Sequence, residues 1–176
     1  MTPPPSTETV ADLPADPPVV ERSVDLDADL ADVWRALTDP DALAGWLGAD
    51  VHLDLRPGGT GVVRDPDGST REVLVTDVDE PNRIAWHWWH EAGHLSRVEI
   101  TVAPTATGTR VRVVEVLDTT TLTPPTSIRA KATSGGRTMA FELAGASASV
   151  ADAWSTRLDR LGVMTAATSG SLALVG

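Results

Sequence analysis

Residues 83–102 read RIAWHWWHEAGHLSRVEITV, and the fold turns on whether the middle of this stretch is a helix or a hairpin. HEAGH, residues 90–94, spells H-E-x-x-H, the pattern in which His90 and His94 would bind zinc and Glu91 would activate a metal-bound water. That chemistry needs a helix, which stacks two histidines one turn apart on the same face. The flanks read otherwise. RIAWHWW and LSRVEITV both carry the rhythm of strands, and Gly93 between them weakens a helix and favours a turn. His87 and His90 are an odd number of residues apart, so on a strand they point to opposite faces. His94 is the last histidine of the chain, so the usual downstream third ligand is missing. The stretch predicts two antiparallel strands joined at EAGH, with no metal site and no peptidase chemistry.

Working outward, the β rhythm runs from about residue 50 to 117. ADVHLDL, GVVR, REVLVTDV, RIAWHWW, SRVEITV and RVRVVEVL are separated by the turn sequences RPGGTG, DPDGST, EPN, EAGH and TATGT. Before them, Val20, Arg22, Val24 and Leu26 alternate as a further strand. Leu30, Val33, Trp34 and Leu37 then fall at helical spacing, with Asp27 or Asp29 placed to cap the start. Asp39-Pro40 ends that helix and opens a short second one, with Asp39 as N-cap and Pro40 in the first turn, where its missing N–H costs nothing. A long terminal helix is expected over SVADAWSTRLDRLGVMTA, with Val150, Trp154, Leu158 and Leu161 on one face and Arg157 and Asp159 to the side.

The remaining segments carry less pattern. Residues 1–18 hold six prolines and few large apolar residues, and are expected to form a disordered leader. The folded domain is expected at 19–167, with 119–148 an unassigned loop or insertion rich in Thr, Ser and Gly, and 168–176 a C-terminal tail. The chain has no cysteine, which excludes disulfides, thiolate zinc sites and a cysteine nucleophile. Its net charge of -11 would repel a phosphate backbone, so nucleic acid is not an expected partner. No apolar run could span a bilayer and no signal pattern opens the chain, so a cytoplasmic, membrane-free protein is expected. Six tryptophans stand against one phenylalanine and no tyrosine.

VWRALTDPDALAGWL, RPGGTG, VTDVDEPNRIAWHWW, SRVEITVAPTATGTRVRVVE and AWSTRLDRL resemble the SRPBCC/START-like superfamily. Within it they are most similar to the branch related to the C-terminal domain of the activator of heat-shock-protein-90 ATPase. The resemblance implies an α+β helix-grip fold, in which a strongly bent antiparallel sheet wraps a long C-terminal helix around an apolar cavity. It also implies three classes of function. The leading expectation is non-catalytic binding of a hydrophobic or aromatic small molecule. The others are polyketide aromatase/cyclase-type catalysis, and a chaperone co-factor role exercised by protein binding. No cofactor is expected.

Pleat parity selects the residues that would face such a cavity. On one face of their strands lie Ile84, Trp86 and Trp88; Val98, Ile100 and Val102; and Val111, Val113 and Glu115. With Trp46 from the second helix and Trp154 and Leu158 from the last, the candidate ligand-binding set is Trp46, Trp86, Trp88, Ile100, Val113, Glu115, Trp154 and Leu158. Trp46 serves either as an entrance residue or as a staple between its helix and the sheet. Glu115 interrupts an apolar row, so it should be protonated, matched to an arginine such as Arg157, or bound to a ligand group. It is also the one candidate acid/base.

Overall fold

The computed structural model describes residues 17–90, 95–117 and 139–172, and in the last helix the described side chains are those of residues 148–167. Seven strands form one sheet: β1 (Val19–Leu26), β2 (Asp50–Leu53), β3 (Thr60–Arg64), β4 (Thr70–Asp79), β5 (Arg83–His90), β6 (Leu95–Pro104) and β7 (Thr109–Leu117). Helices α1 (Leu30–Thr38) and α2 (Pro40–Trp46) follow β1, and α3 (Met139–Leu172) comes last. Every pairing is antiparallel and the order is β1-β7-β6-β5-β4-β3-β2, so the six strands after the helices form a meander that β1 extends by pairing with β7. This is the expected α+β helix-grip architecture. Among the described residues, no helix is long and apolar enough to cross a membrane.

Alternation decides the inner face. Ile84, Trp86 and Trp88 on β5, Val98, Ile100 and Val102 on β6, and Val111, Val113 and Glu115 on β7 are all buried, as parity predicts. Arg97 stays exposed on the other face, although small Ala85 is buried there too. A register shift between Val75 and Asp77 bends β4 beside Trp86. The RPGG turn folds back onto that bend through Gly58 N–H to Val75 O and Val75 N–H to Gly59 O, at 2.9 and 2.8 Å. Gly58 has φ +81, and a Cβ on Gly59 would run into the Asp54 carbonyl oxygen, so both positions require glycine.

Asp39 caps α2 as expected, accepting from the backbone N–H groups of Asp41 and Ala42. At α1 the N-cap is Asp29, but its side chain makes no capping bond. The last helix starts earlier than the sequence reading placed it. Met139–Ala148, within the unassigned 119–148 segment, is helical, and MAFELA supplies good helix formers there. Residues 119–138 and the leader up to 16 lie outside the described residues. Buried positions Ala151, Trp154, Leu158, Leu161 and Thr165 repeat every three or four residues and lie against the sheet and the helix pair.

Candidate functional site

Sheet and terminal helix meet at a carboxylate. Glu115 on β7 is 2 % exposed. Its Oε1 accepts the indole N–H of Trp88 at 2.9 Å, and its Oε2 accepts that of Trp154 at 2.6 Å. The two indoles stack, with centroids 5.5 Å apart and planes inclined by 24°. Trp86 meets Trp88 edge-on at 5.9 Å. The inner faces of β5 and β7 and one face of α3 thus converge on three indoles and one acid. Glu115 makes no direct ion pair with Arg157: one indole N–H donates to each of its oxygens, and the Arg157 charge acts on it only from beyond hydrogen-bond distance.

Arg157 is not at the side of α3 but 6 % exposed. Its Nη2 donates to Asp65 Oδ1 at 2.6 Å, and its Nε donates to the Leu47 carbonyl at the end of α2, at 2.8 Å. Asp65 follows β3 in the DPDGS turn, where Asp65 N–H to Ser69 O and Gly68 N–H to Asp65 O close the loop and turn its carboxylate inward. Its second oxygen takes Arg71 Nη2 at 2.9 Å. Both guanidinium groups lie over indoles: Arg71 sits 4.3 Å from the Trp88 ring centroid, and Arg157 sits 5.3 Å from Trp88 and 5.0 Å from Trp154. Burial pulls the Arg157 pKa below its ordinary value, and the positive charge of Arg71 adds to this; Asp65 and Glu115 oppose it. Two arginines and two carboxylates therefore balance inside the grip.

Trp86, Trp88, Ile100, Val113, Glu115, Trp154 and Leu158 join one buried cluster or its hydrogen bonds. Trp46 is fully buried and donates its indole N–H to the Ala36 carbonyl at 3.0 Å, so it staples α2 to α1 and does not stand at an entrance. Asp65 and Arg71 were not singled out in the sequence, and Arg157 was named only at the side of its helix and as a possible match for Glu115, yet spacing marked both arginines. Arg71 shares pleat parity with Val73 and Val75, and Arg157 lies at i+3 from Trp154 and i−4 from Leu161. Asp65 shares pleat parity with buried Val63 but lies one residue beyond β3, in the turn, where alternation no longer decides which way a side chain faces.

His90 is the last residue of strand β5, so the first histidine of H-E-x-x-H is extended and not helical. Its ring engages Arg71 and the Thr70 carbonyl. Residues 91–94 lie outside the described residues, and among the described ones no group of three His, Asp or Glu could hold a metal. His52 is exposed.

Among the described residues, two of the surface clefts lie beside the grip's helices. One of about 460 Å³ lies between β1 and α3, lined by Val24, Leu26, Leu158, Gly162 and Val163 among others. The other, of about 720 Å³, lies between the start of α1 and the β6–β7 turn. Of the candidate set only Leu158 lines either cleft. One polar atom inside the grip has no partner among the described residues: the Nε1 of Trp86, a residue 1 % exposed.

The family model for "Activator of Hsp90 ATPase homolog 1-like protein" matches residues 27–163. The chain belongs to this family. Its place in the Activator of Hsp90 ATPase homolog 1-like family, within the SRPBCC superfamily, agrees with the resemblance drawn from the helix pair and the P-x-R-I-x-W-x-W strand. Solved structures share the fold. DynU16, a protein of the dynemicin biosynthetic locus, is 23% identical with a TM-score of 0.59, over 82% of this chain and 45% of its own. This chain therefore spans less than half of DynU16. A protein from Mesorhizobium loti is 20% identical with a TM-score of 0.63, over 82% and 94% of the two chains. CalU16 from Micromonospora echinospora is 21% identical with a TM-score of 0.58, over 82% and 73%. No curated protein matches the sequence.

Proposed function

We propose that this family member is a non-catalytic, cytoplasmic binder of a hydrophobic or aromatic small molecule that carries one hydrogen-bond acceptor. The molecule enters the indole-rich interior between the sheet and α3. One observation carries the reading: among the described residues the Trp86 N–H is buried without an acceptor, while the neighbouring Trp88 and Trp154 N–H groups are both satisfied. An orphan buried donor costs about 1–3 kcal/mol, and a ligand oxygen placed against it recovers that cost. The flanking indoles supply flat apolar contact for an aromatic body.

The same geometry weighs against an aromatase/cyclase-type mechanism built on Glu115. Each of its oxygens accepts an indole N–H and the residue is 2 % exposed, so a substrate would have to reach a carboxylate that Trp88 and Trp154 already hold and enclose. Association of DynU16 with a biosynthetic locus supports a small-molecule setting, not a particular reaction. A chaperone co-factor role rests on the family name alone.

Fluorene and 9-fluorenone test the proposal, because they share a shape and differ by one carbonyl. Both should quench tryptophan emission saturably, and the ketone should bind about five- to tenfold more tightly, the worth of about 1 kcal/mol for one net hydrogen bond. Trp86→Phe should erase that preference. Absence of saturable binding, or no preference for the ketone in the wild type, overturns the reading.

A further inference from the structure

We propose that His90 is a pH-sensitive catch on Arg71, and through Arg71 on the indole of Trp88. The geometry fixes which tautomer of His90 is present. Arg71 Nε–H is always a donor, and it points at His90 Nε2 at 3.0 Å, so Nε2 carries a lone pair. The other nitrogen, Nδ1, stands 3.1 Å from the Thr70 carbonyl, which only accepts, so Nδ1 carries the proton. Both ring nitrogens are committed, and only the neutral ring fits. A second proton would have to go on Nε2, setting N–H against N–H and positive charge against positive charge at hydrogen-bond distance. The Arg71 contact therefore holds on the alkaline side and breaks on the acid side.

The charged groups around the catch make that break consequential. Arg71 (β4) faces His90 (β5) across the sheet, in direct register. Beyond Arg71 lie Asp65 from the turn after β3 and Arg157 from α3. Asp67 lies in the same turn, its carboxyl held below its ordinary range chiefly by hydrogen bonds from Ser69. The Arg71 side chain is 16% exposed, so it has a route to water. Released from His90, it can keep one hydrogen bond to Asp65 while its planar group turns off the Trp88 ring, 4.3 Å away. Imidazole is the side chain that ordinarily changes charge between about pH 5 and 8. The catch operates in the ligand-free protein and needs no bound molecule.

Nitrogen-15 NMR of the ligand-free protein tests it twice. In the wild type at mildly alkaline pH, the His90 ring should show the Nδ1–H tautomer; an Nε2–H tautomer overturns the proposal. On acidification from about pH 8 to about pH 5, the indole N–H resonance of Trp88 should shift in one sigmoidal step. His90→Gln, whose side-chain carbonyl can accept from Arg71 at every pH, should lose the step. His52→Gln and His87→Gln should keep it. A wild type without the step, or a His90→Gln variant that retains it, overturns the catch. The tautomer and the wild-type step are both read without a variant, so either can overturn the catch even where a substitution fails to fold.

Discussion

The indole N–H of Trp154 donates to Glu115 Oε2 at 2.6 Å, which hydrogen-bonds the terminal helix to the inner face of the sheet through two buried side chains. Trp88 fills the other oxygen from β5. Glu115→Ala strips both acceptors and leaves two buried indole N–H groups unsatisfied. We expect it to lower stability by about 2–5 kcal/mol. Glu115→Gln keeps one acceptor but turns an amide N–H₂ toward the other indole, so a smaller loss of about 1–3 kcal/mol is expected. Urea unfolding of both variants checks the order; an Ala variant as stable as the wild type would show that the two bonds contribute nothing.

The Asp65–Arg157 pair is buried on both sides and Asp65 is shared with Arg71. Removing one partner strands the other charge away from water, which costs about 3–5 kcal/mol. Asp65→Asn should be the harsher change, because it leaves two arginines close together without their carboxylate. Arg157→Met leaves Asp65 its Arg71 contact and should cost less. In a double-mutant cycle the combined variant should be less destabilised than the sum of the single ones. Simple additivity, measured by chemical denaturation, would mean that the two side chains do not interact.

These two clusters also mark where sequence reading ends. The strands and their inner faces were legible because period-two alternation is a local signal, and Asp39-Pro40 announced α2 through the chemistry of a helix start. Parity even placed Glu115 inside. What parity lacks is partners. Asp65 and Arg157 are 92 residues apart, and Trp88 and Glu115 are 27 apart. No local rule says that indoles and not a guanidinium would reach the carboxylate. Trp46 was left open between entrance and staple for the same reason, since its bond to Ala36 depends on the angle between two helices. The orphan N–H of Trp86 is equally invisible, because a missing partner is a property of the assembled interior.

Acid should loosen β1 first. Arg112 reaches Glu21 with two bonds of 2.7 Å, and Arg110 reaches Asp25 at 2.7 and 2.8 Å, all across the β1–β7 pair. Those hydrogen bonds, the leading cause, hold the Glu21 carboxyl below its ordinary 4.5 and the Asp25 carboxyl below its ordinary 3.8. A carboxylate with a lowered folded-state pKa contributes in full above its unfolded value, and the contribution is lost as pH falls through the lowered one. Hydrogen-exchange protection of β1 amides should thus hold down to about pH 5 and fall at more acid pH, ahead of the β5–β6 amides. Both pairs are exposed, so added salt should reduce the effect. Unchanged β1 protection in acid would show that the pairs do not hold the edge strand.

Val113 offers a test of where a ligand enters. It is fully buried on the inner row of β7, in register with Ile100 on one side and Arg22 on the other. Val113→Trp pushes bulk into the indole cluster, and a well-packed interior should answer with a loss of about 1–3 kcal/mol. If fluorenone binds between the sheet and α3, the same change should abolish its saturable quenching in protein that remains folded. The comparison is Val163→Trp, at an exposed position of α3 that lines the cleft beside β1. A surface change of that kind should move stability by no more than about 0.5 kcal/mol and leave binding intact. The opposite pattern, binding lost in Val163→Trp and kept in Val113→Trp, would move the ligand out of the grip and into the β1–α3 cleft. The orphan N–H of Trp86 would then have no part in binding.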